Sequence, residues 1–235
     1  MTRSKQQNGA AAADLASKSV RDFVSTAAHD LREPLRAIRA HAQFLAAIPD
    51  AEKTDRRAQC VDYIHAGVDR VENLIRDIED YWLEEIRELE LCEVSLESAL
   101  QEARRQVSQR LNECGGQVTY DVLPVITADF ESLASVFRIL IDNACKFRAV
   151  PAPRVHVTAA RVRRDWVVSV VDNGQGFDPT YAELIFKPFE RLNGKRYPGS
   201  GLGLPLARRI VARHRGRIWA ESRPDSGSTF RFALR

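Results

Sequence analysis

Two glycine clusters and one short helical stretch carry residue types that could hold a phosphorylated ligand. The first cluster is Asp172-Asn173-Gly174-Gln175-Gly176, at the end of a predicted strand. The second is Gly199-Ser200-Gly201-Leu202-Gly203-Leu204, at the start of a predicted helix. Eight of the twelve glycines fall between Gly174 and Gly227. Glycine lets a backbone approach a bulky ligand and adopt positive φ. A helix N-terminus offers an anion unpaired N–H groups and a favourable dipole. A nucleotide phosphate is the natural ligand. Alone, Gly-x-Gly-x-Gly is a weak signal, because tight turns use the same letters. It is not a dinucleotide fingerprint, since no first-strand βαβ unit leads into it. It is not a P-loop, since Gly-x-x-x-x-Gly-Lys-[Ser/Thr] is absent. The third stretch is Asn143-Ala144-Cys145-Lys146-Phe147, late in a predicted helix. An amide oxygen can ligate Mg²⁺ and a lysine one turn on can reach a phosphate. A polar helix residue is more often simply solvated. The order of the pieces adds weight: the Asn helix, Asp-x-Gly-x-Gly, a Phe-rich loop, then the Gly-x-Gly-x-Gly helix.

The elements that position these residues follow from periodicity. Residues 1–13 are polar, then alanine-rich, and read as a disordered, frayed tail. From Val20, apolar residues advance by threes and fours through Val24, Ala27, Leu31, Leu35, Ile38, Ala42 and Leu45, until Pro49-Asp50 breaks the run. Val61, Ile64, Val68, Val71, Ile75, Ile78 and Trp82 then alternate steps of three and four, an a/d seam. Two such helices joined by a polar turn make an antiparallel hairpin. A hairpin with so strong a stripe cannot bury it alone, so pairing two hairpins into a four-helix homodimer is expected. The alternative is two ordinary helices packed on their own domain. Beyond residue 92 helices and strands mix. A helix spans 96–114, ended by Gly115-Gly116, and a strand spans 117–122. Asp129 caps a helix running to about Phe147. Strands cover 155–162 and 166–172, and Asp178-Pro179 starts a helix. A further helix spans 202–214, and strands cover 217–222 and 229–234. The domain reading is therefore a tail over 1–13, a helical hairpin over 14–92 and an α/β domain over 93–235.

Composition sets limits. Of 235 residues 44% are hydrophobic and 29% charged, which excludes wholesale disorder and a fibrous repeat. Lys plus Arg is 35 against 32 Asp plus Glu, a net charge of +3. That balance gives little support to a nucleic-acid binder, and the arginine-rich stretches 161–164 and 208–217 read as solvated faces. Cys60, Cys92, Cys114 and Cys145 are scattered, with no C-x-x-C pair. Free cysteines without a signal peptide fit a reducing compartment. No apolar run approaches the roughly 18 residues of a membrane span. A cytoplasmic protein without a membrane span is expected.

In this order the pieces resemble the cytoplasmic core of a sensor histidine kinase of two-component signalling, from about residue 18 to the C-terminus. Phe23 to Leu35, containing His29-Asp30-Leu31-Arg32-Glu33-Pro34, resembles the phosphoacceptor box. Ile139 to Phe147 resembles the N box, Asp172 to Gly176 the G1 box, Ile185 to Leu192 the F box, and Gly199 to Leu204 the G2 box. The wording His-Asp-Leu-Arg-Glu-Pro-Leu-Arg and the ending Tyr-Pro-Gly-Ser-Gly-Leu-Gly-Leu are most similar to phytochrome-type kinases. The resemblance implies an α+β chain: a dimeric four-helix bundle, then an α/β sandwich ATP-binding domain of the histidine kinase/gyrase/chaperone type.

It also implies roles. His29 would accept the γ-phosphoryl group of ATP and pass it to an aspartate on a response regulator receiver domain. At 100° per residue His29 is turned about 200° from Ala27, a seam position, and faces water. Asp30 would orient the imidazole and take its proton as general base. Pro34 would kink the helix after the site. Asn143 would ligate Mg²⁺, and Lys146 and Arg191 would steady phosphates. Asp172 would accept a hydrogen bond from the adenine amino group, although an aspartate before Asn-Gly can be a plain turn former. Gly174 and Gly176 would open room for the adenine. Residues 191–198 would form the ATP lid, with Gly199, Gly201 and Gly203 as hinge and phosphate cradle. Phe186 and Phe189 would pack the lid or touch the bundle, unless they are core aromatics.

Three positions depart from the family pattern. Ile139 stands where many relatives carry Asn or Glu; an isoleucine does no acid–base work, which argues against a gyrase- or chaperone-type ATPase. Glu33, four residues after His29, replaces the Thr or Asn that many relatives use to position water, so phosphatase activity toward the regulator should be weak. Arg215 replaces a frequent glycine. The competing reading is a non-catalytic dimeric phosphotransfer or scaffold protein with a degenerate nucleotide domain. The sequence holds no sensor domain, so the input is expected from a separate sensor protein or from a sensor domain missing here.

Overall fold

Apolar residues three and four apart place one stripe on a helix, and the N-terminal third of the chain follows that period into two long helices. The computed structural model describes residues 2–48, 54–149, 152–192, 197 and 199–235, with backbone alone for 2–19 and Thr54. Helix α1 runs Thr2–Ala47 and α2 runs Thr54–Ile86. α1 thus extends back over the segment expected to fray. Ala10–Ala13 are the strongest helix formers and no proline interrupts before Pro34. The expected Pro49-Asp50 break and most of the turn at 46–54 lie outside the described residues. α1 continues through Pro34.

The chain divides into two compact units, Met1–Ile78 and Glu79–Arg235. In the first, Gly67 lets α2 approach α1 closely: a Cβ there would lie 2.6 Å from Ile38 Cγ1. Phe23, Ala27 and Leu74 are buried in the hairpin. Of these only Ala27 belongs to the stripe read from the sequence, and the rest of that stripe is not fully buried. Val24, Leu35, Val61, Val68 and Ile75 remain exposed, because one hairpin offers each helix a single neighbour.

The second unit begins thirteen residues before the boundary expected near residue 92. The last turns of α2 are tied into it. The Arg209 guanidinium lies 3.8 Å from the Tyr81 ring centroid and donates to the Tyr81 carbonyl at 2.8 Å. Arg213 donates to buried Glu84 at 2.9 Å and to the carbonyls of Glu84 and Arg87. Strand β1 (Cys92–Ser95) then pairs antiparallel with β3 (Val125–Ala128). Neither strand was expected, since four residues are too few for alternation to register. The helix expected over 96–114 is two, α3 (Leu96–Gln106) and α4 (Ser108–Cys114), parted at buried Val107 with φ −102° and ψ 13°. Gly115 ends α4 in the left-handed conformation, as its type predicts.

Strands β2 (Gln117–Tyr120), β4 (Arg154–Val162), β5 (Asp165–Asp172), β6 (Arg217–Ser222) and β7 (Ser228–Leu234) form a second sheet in the order β2-β4-β5-β7-β6. β2 and β4 are parallel and the other pairs antiparallel. Val155, Val157, Val168, Val170, Phe230 and Phe232 are buried, and the residues between them are not. Helix α5 (Phe130–Lys146) covers that buried face, with Phe137 edge-on to Phe232 at 5.7 Å. α6 (Gly203–Arg213) packs beside α5. The start expected at Asp178-Pro179 yields only two 3₁₀ turns, Pro179–Tyr181 and Leu184–Phe186. Asp178 caps Thr180 as predicted, but Lys187, preceding Pro188, is extended and stops the helix.

Asp129 caps α5 and does more. Its Oδ1 accepts from Ser132 N at 2.9 Å and from Arg87 Nη2 at 2.8 Å, and its Oδ2 accepts from Glu90 N at 2.8 Å. Its own N–H donates to His214 Nε2 at 3.0 Å. Burial alone would raise its pKa, but Arg87 and the two N–H donors outweigh burial and hold it at about 2, below the ordinary 3.8. A depressed carboxylate contributes stability that is present above the unfolded pKa and lost as pH falls through the folded one. The wild type should therefore lose about 2 kcal/mol between roughly pH 4 and pH 2 that an Asp129→Asn variant does not lose. Arg87→Ala, which strands a buried carboxylate, should cost about 3 kcal/mol near pH 7. Urea unfolding across that pH range checks both.

Candidate functional site

His29 projects from α1 into solvent, with 72% of its side chain exposed. Its Nδ1 lies 3.0 Å from Asp30 Oδ1. Ala27 is buried, so the outward face expected for His29 is the one observed. If Nδ1 carries the proton and donates it to Asp30, the Nε2 lone pair is free to attack an electrophile.

The other predicted site residues lie in the second unit, around the C-terminal end of α5. Phe147 N donates to the Asn143 carbonyl at 2.9 Å, and the Phe147 carbonyl accepts from Gln175 N at 3.0 Å. The end of α5 and the first glycine cluster are therefore joined by backbone. Gly174 sits in that joint: a Cβ there would lie 2.8 Å from both Asp172 Oδ1 and the Phe147 carbonyl. Asp172 closes β5. Its Oδ1 accepts from Gly174 N at 2.8 Å and Ser228 N at 3.3 Å. Burial pushes its carboxyl up despite those two donors. Asn173 has a structural task, taking Arg154 N at 2.6 Å and donating to the Ala152 carbonyl at 3.1 Å. Gly176 is turned elsewhere. With φ +64°, its Cβ space is filled by the carbonyls of Arg223 and Gly227, so the β6–β7 turn explains this glycine.

Lys146 reaches the second glycine cluster. Its Nζ lies 5.1 Å from the Phe147 ring centroid, and any Cβ at Gly199 would run into it. Gly201 accepts from Phe189 N at 3.1 Å. A Cβ at Gly203 would lie 3.4 Å from Ile139 Cγ2. Ile139, the departure noted from the sequence, is buried there as an apolar packing residue. Phe186 is buried as a core aromatic, with Arg208 over its ring. Arg191 donates to the Tyr197 carbonyl. The Tyr197 ring meets Phe147 edge-on at 5.2 Å, and its hydroxyl donates to Gln175 Oε1 at 3.0 Å. Of the lid expected over 191–198, residues 193–196 and 198 lie outside the described residues.

Asn143, Lys146, Asp172, Gly174 and Gly199 are thus linked around Phe147, and Arg191 joins them through Tyr197. His29 and Asp30 belong to the other unit. The sequence reading missed Ser228, Gln175 and Tyr197 as participants. Gln175 stood inside the first glycine cluster and Tyr197 inside the expected lid, whereas nothing local marked Ser228. Among the described residues no group of three His, Cys, Asp or Glu side chains could cage a metal ion. A Mg²⁺ ion fits this donor set only as one that Asn143 shares with phosphate oxygens of a ligand.

Comparison with known proteins agrees with this layout. Residues 19–86 match the family model described as the His Kinase A (phospho-acceptor) domain. Residues 128–235 match that of the histidine kinase-, DNA gyrase B- and HSP90-like ATPase. Cyanobacterial phytochrome A of Nostoc is 35% identical over 92% of this chain, which spans 28% of that protein. The adaptive-response sensory kinase SasA of Synechocystis is 30% identical over 88% of this chain and 57% of its own length. The fold is that of histidine kinase AdeS of Acinetobacter baumannii, with TM-score 0.68 and 20% identity over 88% of this chain and 96% of that one. It is also that of histidine kinase ThkA in complex with response regulator TrrA, with TM-score 0.75 and 20% identity over 100% and 67%. With a phosphoacceptor hairpin and an ATPase-type domain in the same order as in these relatives, the chain belongs to the sensor histidine kinase family.

Proposed function

We propose that the chain is an ATP-dependent protein-histidine autokinase that phosphorylates His29 and hands the phosphoryl group to an aspartate of a response regulator receiver domain. The observation that carries this reading is the His29–Asp30 pair on an exposed helix face, in a chain whose second unit gathers Asn143, Lys146, Asp172 and Gly199 around Phe147. Asp30 at Nδ1 fixes the tautomer and accepts the proton as the imidazole becomes charged. Nε2 forms the new bond to the γ-phosphorus while the bond to the ADP oxygen breaks, with ADP as leaving group. Asp172 accepts the adenine amino hydrogen bond, and Lys146 and Arg191 supply positive charge to the phosphates. Asn143 would hold Mg²⁺, which when bound neutralises phosphate charge. Gly201 and Gly203 bring the α6 N-terminus up to the phosphates.

The exposed stripe through Val24, Leu35, Val61, Val68 and Ile75 supports a homodimer through the hairpin. A cytoplasmic setting is supported by four free cysteines. Buried Ile139 supplies no carboxylate to activate water, which favours transfer to His29 over hydrolysis.

Incubation with γ-labelled ATP and Mg²⁺ should place acid-labile, alkali-stable label on the wild type and none on His29→Gln. Absence of label on a wild type that binds ATP would leave a scaffold in place of an autokinase. Asp30→Asn should slow labelling by about 10²-fold or more. Asp172→Asn should weaken ATP binding by roughly tenfold to a hundredfold, read by calorimetry, because a charge-assisted hydrogen bond in a half-buried site is lost.

A further inference from the structure

Tyr197 belongs to none of the five boxes, yet its side chain and backbone touch three of the motifs around Phe147. Its ring meets Phe147 of the N box edge-on, its hydroxyl donates to Gln175 of the G1 box, and its carbonyl accepts from Arg191 at the end of the F box. It stands two residues before Gly199, the glycine whose Cβ space Lys146 Nζ occupies. Gln175 is itself fixed, since its N–H donates to the Phe147 carbonyl and its carbonyl accepts from Asp225 N at 2.7 Å. The acceptor that meets the phenol is therefore anchored at both backbone ends, next to the Gly174–Asp172 joint. An aromatic ring and a hydroxyl are two separable handles on one site. The ring extends the apolar surface of Phe147, which a flat base can contact. The hydroxyl sets where that ring stands.

We infer that Tyr197 is a positioning residue for the nucleotide: its phenol, held by Gln175, places its ring beside Phe147 to complete the base side of the site and brings Gly199 to Lys146 on the phosphate side. This rests on the adenine-nucleotide reading of the second unit. Loss of the hydroxyl then lowers affinity through misplacement of the ring, and loss of the ring lowers it further. The phenol and the Gln175 amide act as one unit, so removing either removes the same contribution.

The test uses the full chain, with ATP binding measured by calorimetry and labelling of His29 measured against ATP concentration. Tyr197→Phe and Gln175→Met should each weaken ATP binding about fivefold, and the double variant no more than either alone. Tyr197→Ala should weaken it about thirtyfold. The KM for ATP should follow these changes while kcat falls less than twofold and the melting temperature holds, a split that a purely structural role would not produce. ATP affinity unchanged or tightened in Tyr197→Phe overturns the inference, as do additive losses in the double variant. A wild type that binds no ATP overturns the nucleotide reading itself, which is a different failure from a wild type that binds ATP with variants that match it.

Discussion

The nucleotide side of this molecule depends on a buried carboxylate at the far end of the helix that carries it. Asp129 is 2% exposed; its carboxylate accepts from Ser132, Arg87 and Glu90, and its own N–H donates to His214. A carboxylate in that position is costly unless fully paired, and here its three donors come from two pieces of chain while its own N–H reaches a third. Ser132 belongs to α5, Arg87 and Glu90 follow α2, and His214 ends α6. Burying the charge and pairing that N–H therefore oblige three segments to meet at one point. α5 leaves that point as a 17-residue helix, about 25 Å long, whose core face is locked by Phe137 against Phe232. With its N-terminus and its middle fixed, the direction of its C-terminus is fixed too, and that is where Asn143, Lys146 and Phe147 stand.

At this second end the controlling contact is backbone. The Phe147 carbonyl accepts from Gln175 N, which sets the turn after β5 against α5 at a spacing that only Gly174 tolerates. Asp172 is held in the same turn by two N–H donors, from Gly174 and Ser228, to one oxygen. The upward push of burial on its carboxyl and the lowering by these donors act against each other.

What could be read from the sequence follows the range of the interaction behind it. The Asp129 cap, the Gly115 stop and the Asp178 cap depend on residues two to four positions away, and all three are where their types predict. The outward face of His29 is a matter of helical angle and was equally legible. The β1–β3 pair is built from two four-residue strands separated by thirty residues, and no local period marks it. The start of the second unit at Glu79 is set by Arg209 and Arg213, more than a hundred residues from Tyr81 and Glu84. A composition change near residue 92 records where strands begin, not where contacts close. Gly176 shows the same limit at a single residue. Its place in a recognised motif suggests a ligand, whereas its neighbours are the carbonyls of Arg223 and Gly227.

The glycine boxes thus divide by what fills the space of their missing side chains. At Gly199 that space is taken by Lys146, and at Gly174 it is shared equally by the Asp172 carboxylate and the Phe147 carbonyl. At Gly176, Gly201 and Gly203 it is taken by the main chain of neighbouring loops or by Ile139. Substitution at the first pair perturbs the Asp172 carboxylate and the Lys146 ammonium, whereas substitution at the others perturbs main chain and the Ile139 contact. The same distinction separates the two halves of the chain. His29 finds its partner in the next residue, on a single helix, and needs no distant segment to orient its ring. The residues gathered around Phe147 are drawn from four separate stretches and acquire their geometry only when the second unit closes on Asp129 and Phe147.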